Sequence, residues 1–237
     1  MNWIKWKIGD TEERIMSKKG KFIVFEGIDG SGTTTVSKLV KEKTEERLGK
    51  NSCIHTFEPS DNEIGKFLRE ILKHKKHVKN SDAMTGLFMA DRAEHTQEII
   101  LPAINNGKHV FCDRYTPSTI VYQSIELDKS YGYIQNKILG LERHLFYYPT
   151  GSIIPDIVFY LRCDYKTAYE RRTERGLELE KYEYEEYQKF VIWCYDFWKF
   201  HTTNFKIYEI DATLNVDNVL EQIMYYLKNY MNMFLEL

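Results

Sequence analysis

The sequence predicts an α/β protein, a parallel sheet covered on both faces by helices. Three observations predict it. Short apolar runs with strand character alternate along the chain with longer segments of helical period. Most of the runs are apolar throughout, as strands buried on both faces must be. The first run passes through a glycine-rich turn into a helix start, the order that a phosphate-binding loop requires.

The elements follow in order. Phe22–Phe25 is a buried strand, and a helix starts after Gly32 and runs to about Leu48 with Val36, Leu39 and Val40 on one side. Ser52–Phe57 reads as the second strand. Asn62–Lys73 is helical, because Ile64, Phe67, Leu68, Ile71 and Leu72 share a face. A basic connector, Lys73–Lys79, precedes a long helix that Ser81-Asp82 can cap, that runs to Ile104 and that Asn106-Gly107 ends. His109–Cys112 is the third strand, followed by helices at Ser118–Leu127 and Gly132–Leu145. Pro155 precedes a fourth strand at Ile157–Leu161. A helix over Tyr165–Arg175 then leads to Gly176 and a charged stretch, and another helix runs to about His201. Lys206–Ile210 is the fifth strand and Val216–Tyr230 a closing helix. Residues 1–20 are an N-terminal extension to one domain over 21–237; a small packed helix at Thr11–Met16 is the alternative for part of it.

At 237 residues the chain suits one domain with a lid. A net charge of −2, with both signs interspersed, gives no footprint for nucleic acid or an acidic membrane. Cys53, Cys112, Cys163 and Cys194 fall singly, without zinc or disulfide spacing, and point to reduced thiols in the cytoplasm. No apolar run reaches membrane-spanning length. The histidines show no metal-binding spacing and no Ser-His-Asp arrangement is suggested.

In a parallel sheet, ligands bind beyond the carboxyl ends of the strands. Glu26-Gly27, Glu58-Pro59 and Asp113-Arg114 follow the first three strands, so polar groups collect on that edge. The loop Gly27, Ile28, Asp29, Gly30, Ser31, Gly32, Thr33, Thr34, Thr35 can wrap an anion with its amides. Its pattern departs from G-x-x-x-x-G-K-[ST] at one position, where Thr33 replaces the lysine. Thr34 holds the position whose hydroxyl binds Mg²⁺.

The chain resembles the thymidylate kinases over about Lys21–Tyr226. The resemblance is carried by FEGIDGSG (Phe25–Gly32), by Phe57-Glu58-Pro59 where the family often has R-E-P, by GLFMADRAEH (Gly86–His95) and by CDRYTPSTIVYQ (Cys112–Gln123). PDIVFYL (Pro155–Leu161) and IDATLNVDNVLEQI (Ile210–Ile223) match as well. It implies a three-layer P-loop kinase fold with a five-stranded parallel sheet and a short lid at about 172–184. It also implies a homodimer using ATP and Mg²⁺ to phosphorylate dTMP. By this likeness Thr34 and Asp113 position the metal and Arg114 grips the acceptor phosphate. Asp29 and Glu58 join the substrate site, with Asp29 on the 3′-hydroxyl. Phe88 stacks on the base and Arg92 donates to its O4. Thr119 and Gln123 lie near N3, and Tyr122 crowds C2′. Two cations of the family are missing, at Thr33 and Phe57. Arg69 is expected to face the monophosphate, and Arg172 or Arg175 to bring charge to ATP. A kinase for dUMP or another deoxynucleotide, and a nucleotide-binding protein disarmed by Thr33, are the rival readings.

Overall fold

The computed structural model describes residues 19–73, 78, 80–125, 129–147, 152–174 and 184–230. The expectations for residues 1–18, for Arg175 and for most of the lid segment lie outside these residues.

Five strands, β1 (Phe22–Glu26), β2 (Cys53–Phe57), β3 (His109–Asp113), β4 (Ile157–Arg162) and β5 (Ile207–Asp211), form one sheet in the order β2-β3-β1-β4-β5. Every pairing is parallel. All five residues of β1 are buried. Since alternate residues point to opposite faces, both faces of the sheet are covered. The order reverses at β1, which puts the loop after β1 at the switch point where such sheets bind ligands. The register is Phe57↔Asp113, Phe25↔Asp113 and Glu26↔Tyr160, so three neighbouring strands end at nearly one level.

The helices are α1 (Thr33–Leu48), α2 (Glu63–Leu72), α3 (Ser81–His95), α4 (Leu101–Asn105), α5 (Thr116–Ser124), α6 (Tyr131–Tyr147), α7 (Tyr165–Thr173), α8 (Glu185–His201) and α9 (Val216–Tyr230). They pack in two groups, α1 with α9, and α3, α6 and α8 around α5, with α2 on α3 and α7 on α8. The core lies between these groups and the sheet, with Phe25, Phe111 and Phe159 on the strands and Trp198 on α8 fully buried. The expected long helix is continuous in space but contains a π turn, Thr96–Ile100, between α3 and α4. Its cap is Asn80 rather than Ser81-Asp82, because the Asn80 side chain accepts from the Ala83 amide at 2.9 Å.

The start of α2 presses on the turn that follows β2. Asn62 caps this helix through the Gly65 amide at 2.7 Å. A Cβ at Gly65 would lie 2.1 Å from the Ser60 carbonyl oxygen and 2.6 Å from its nitrogen. Gly65→Ala is therefore expected to cost about 1–3 kcal/mol, as overpacking does, read as a lowered urea midpoint. An unchanged midpoint would show that the turn yields freely.

Candidate active site

The phosphate loop is held in shape by close approaches. Gly30 has φ +90°, and a Cβ there would meet the Ala168 carbonyl oxygen of α7 at 2.4 Å. A Cβ on Gly27 would meet Ser31 Oγ at 2.5 Å and the Leu161 carbonyl oxygen at 2.7 Å. Gly32, in the left-handed region at φ 97°, precedes α1, and no side chain caps that helix. The helix thus presents its first amides to whatever anion sits over the loop.

Arg114 ties this loop to the turn after β3. It is a non-glycine residue at φ 68°, and its amide donates to Phe25 O at 2.9 Å. Its guanidinium donates to Gly27 O at 2.9 Å, to Ser118 Oγ at 3.1 Å and to Asp29 Oδ1 at 2.6 Å. Asp29 Oδ2 also accepts from the Tyr122 hydroxyl and from Gln188 Nε2, each at 3.1 Å. Asp29 is therefore a fixed member of the cleft and not a solvent-facing turn residue.

At the other end of the cleft Arg92 is buried, with 1% of its surface exposed. Its Nε and Nη2 donate to Glu58 Oε2 at 2.9 and 2.7 Å, and Nη2 also donates to Thr119 Oγ1 at 2.7 Å. The guanidinium carbon lies 5.0 Å from the centre of the Tyr115 ring. Burial opposes the charge, but Glu58 and Tyr115 outweigh it and raise the Arg92 pKa. Nη1 is buried without a hydrogen-bond partner. Glu58 Oε1 faces His95 Nδ1 at 3.2 Å. The turn carrying Glu58 is pinned to α3 as well, since Asp91 accepts from Ser60 N at 2.9 Å and from Ser60 Oγ at 2.6 Å.

At the first turn of α1 the Thr34 hydroxyl donates to Asp113 Oδ2, while Asp113 Oδ1 is buried with no hydrogen-bond partner. Asp113 does not cap the following helix, whose N-cap is Tyr115. Glu26, on the strand behind, is fully buried, and burial pushes its pKa up from 4.5 to about 7 against the pull of Arg114 and its hydrogen-bond donors.

Asp29, Glu58, Phe88, Arg92, Arg114, Thr119, Tyr122 and Gln123, all expected from the sequence, line one cleft with about 570 Å³ of empty space including its open mouth. Pro59, Leu72, Tyr115 and Ser118 line it too. Sequence reading did not single them out as site residues, although Pro59, Tyr115 and Ser118 stand inside the segments that carried the resemblance. Arg69 is not among the lining residues. It donates to Pro59 O at 2.5 Å, to Ser60 O and to Asp61 Oδ1 at 3.0 Å, and so braces the turn. Arg172 is buried, and its Nη1 donates to the Asp29 carbonyl of the loop. A second hollow beside the loop is bounded by Ser31, Gly32, Thr35, Arg171 and Val216. Gln188, from α8, was invisible in the sequence because nothing near it has a recognisable spacing.

A glycine loop at the switch point, an open helix start and a carboxylate beside a loop threonine define a P-loop phosphotransferase. The thymidylate kinase family profile matches residues 25–223. The chain is 35% identical over 215 residues to a putative thymidylate kinase of Treponema pallidum, spanning 88% of this chain and 95% of the relative. It is 37% identical over 210 residues to a probable thymidylate kinase of Methanocaldococcus jannaschii, with 88% and 96% covered. Against a thymidylate kinase of Ligilactobacillus salivarius it is 32% identical over 221 residues, covering 90% of this chain and all of the relative. The chain belongs to the thymidylate kinase family.

Removing Glu58 strands the Arg92 charge in the interior. Glu58→Ala is expected to lose about 3–5 kcal/mol of stability by denaturant titration, the cost of breaking a buried pair from one side. A loss under about 1 kcal/mol, the size of a surface pair, would contradict the assigned pairing.

Proposed function

We propose that this enzyme transfers the γ-phosphate of ATP to dTMP, giving dTDP and ADP, and acts as a cytoplasmic homodimer like others of its family. The observation that carries the substrate reading is Arg92 Nη1, a buried donor without a partner in a cleft that also holds Gln123 and Phe88. A pyrimidine with a carbonyl at position 4 satisfies that donor. Cytosine would set its amino group against it and leave two donors facing each other. Phe88 supplies a face for the ring, and Tyr122 with Asp29 closes the sugar end.

The reaction needs no general base. An oxygen of the dTMP phosphate attacks the γ-phosphorus, and the bond from that phosphorus to the β-phosphate oxygen breaks, leaving ADP. The chain's task is alignment and charge stabilisation. Arg114 has five N–H donors, of which three are spent on Gly27, Ser118 and Asp29. The others can take the acceptor phosphate. The loop amides and the start of α1 hold the ATP phosphates.

Thr34 and Asp113 fit Mg²⁺, because the Asp113 Oδ1 atom is buried and lacks a partner while the Thr34 hydroxyl lies on the same carboxylate. Among the described residues no cluster of three or more His, Cys, Asp or Glu forms a metal site. The ion, when bound, neutralises charge on the β- and γ-phosphates.

Thr33 is buried, and it carries no charge to replace the usual lysine. Arg172, seated on the loop carbonyl of Asp29, supports a reading in which α7 delivers that charge. Among the described residues no helix is long and apolar enough to cross a membrane.

A coupled ADP-release assay with dTMP, dUMP, dCMP and dGMP tests the substrate. dTMP is expected to exceed dCMP in kcat/KM by roughly 10⁴-fold, and a preference for dUMP over dTMP would move the assignment to that nucleotide. Nucleotide binding without turnover of any of the four would instead make the chain a disarmed binder. For the missing lysine, Arg172→Ala is expected to lower kcat by roughly 10³-fold or more. Thr33→Lys is expected to give no gain. An unchanged kcat in the first variant, or a large gain in the second, would show that Arg172 does not stand in for the lysine.

A further inference from the structure

Glu26 does not itself line the cleft, yet every hydrogen bond it accepts comes from the machinery around Arg114 or from the helix behind it. Its Oε1 accepts from the Tyr115 amide at 2.8 Å and the Ser118 amide at 3.3 Å. Its Oε2 accepts from the Ser118 hydroxyl at 2.6 Å and the Tyr195 hydroxyl at 2.8 Å. No side chain of Tyr115 caps α5, and the Glu26 carboxylate takes that duty from a different strand. The residue whose amide it holds, Tyr115, directly follows Arg114, whose φ of 68° is costly for a side chain other than glycine.

The Ser118 hydroxyl has one proton. It spends this proton on Glu26, which leaves its lone pairs for Arg114 Nη1 at 3.1 Å. Arg114 is pulled the other way by Asp29 at 2.6 Å. The guanidinium thus hangs between Asp29 and the Glu26–Ser118 pair. We propose that Glu26 is a positioning residue, which acts through Ser118 to hold Arg114 where it meets the acceptor phosphate. This rests on the reading of Arg114 as the phosphate grip.

The ionised form is the one that works. A protonated Glu26 must donate to the Ser118 or Tyr195 hydroxyl. Either choice turns the Ser118 hydroxyl or removes the charge that balances Arg114, and the arginine then settles on Asp29. The groups facing Glu26 are Cys112 on β3, Arg114 and Tyr115 in the turn, Tyr160 on β4 and Tyr195 on α8, with Tyr122 on α5 and Asp29 beyond Arg114. Cys112 and the four tyrosines are all pushed up in pKa by burial, and the pKa of Arg114 is raised, so they keep their charge state at neutral pH. Glu26, raised to about 7, is the member of this set that changes there.

The test is the pH dependence of KM for dTMP and for ATP, and of kcat, in wild type, Glu26→Gln and Tyr195→Phe, with Arg114→Ala beside them. In wild type KM for dTMP should rise as pH falls through about 7. Glu26→Gln should start about tenfold higher at pH 8, the loss of one charge-assisted hydrogen bond, and then follow only the ionisation of the dTMP phosphate itself. KM for ATP should not move. Tyr195→Phe removes a donor that favours the ionised carboxylate, so its midpoint should shift upward. A Glu26→Gln profile that parallels wild type overturns the proposal while Arg114→Ala still raises KM for dTMP. An Arg114→Ala enzyme with unchanged KM for dTMP overturns the reading of Arg114 itself, and the proposal with it. If Glu26→Gln does not fold, Tyr195→Phe decides, and an unshifted midpoint sinks the idea.

Discussion

A parallel sheet that ends three adjacent strands at one level collects carboxylates along one edge. Glu26 ends β1, Asp113 ends β3 and Glu58 follows β2, and none of the three is more than 7% exposed. Residues in register share a face, so Asp113 turns to the α1 side of the sheet while Glu26 and Glu58, one residue further along their strands, turn to the side of α3, α5 and α8. Each finds a different answer to its burial. Glu58 is neutralised by Arg92 and braced by His95. Glu26 gathers four donors and still has its pKa raised toward neutrality. Asp113 takes the Thr34 hydroxyl and keeps one oxygen unsatisfied. The edge is thus short of positive charge in a specific place, beside the first turn of α1.

Much of this was legible in the sequence, for identifiable reasons. Continuous apolar runs gave the strands, and their ends were missed in a regular way. Glu26, Asp113, Arg162 and Asp211 each extend a strand by one charged residue, because backbone pairing continues past the point where hydrophobicity stops. Phe88 and Arg92, four apart, were recognisable as one helix face, whereas Thr119, Tyr122 and Gln123 came only from the resemblance; all five meet in the cleft. Partners brought from afar were not recognisable. Gln188 reaches Asp29 across 159 positions of sequence, and the Tyr195 hydroxyl reaches Glu26 across 169. No local pattern encodes such pairs.

The two departures from the family pattern have different physical contexts. At Phe57 the guanidinium of Arg69 lies 5.7 Å from the ring centre, so a cation from α2 stands next to the position that lost one. Its hydrogen bonds go to the Pro59–Asp61 turn, which makes it a brace and not part of the cleft lining. At Thr33 the nearby arginine, Arg172, comes from α7, packed so closely that Gly30 could not carry a Cβ without displacing Ala168. One of these arginines braces a turn, and the other donates to the carbonyl of the glycine loop.

The π turn at Thr96–Ile100 has a consequence for the phase of the helix that contains it. Residues before the turn, Phe88, Arg92 and His95, belong to the cleft or support it, whereas Ile100 at its end and Ala103 after it belong to the core beside the sheet. An α-helix advances about 100° per residue, and the wider turn absorbs one residue without that rotation. The turn works as a coupling between two surfaces whose bearings do not match. The same helix can therefore change in length by one residue only there, and any indel placed elsewhere between Arg92 and Ala103 would rotate the nucleotide face away from the core face.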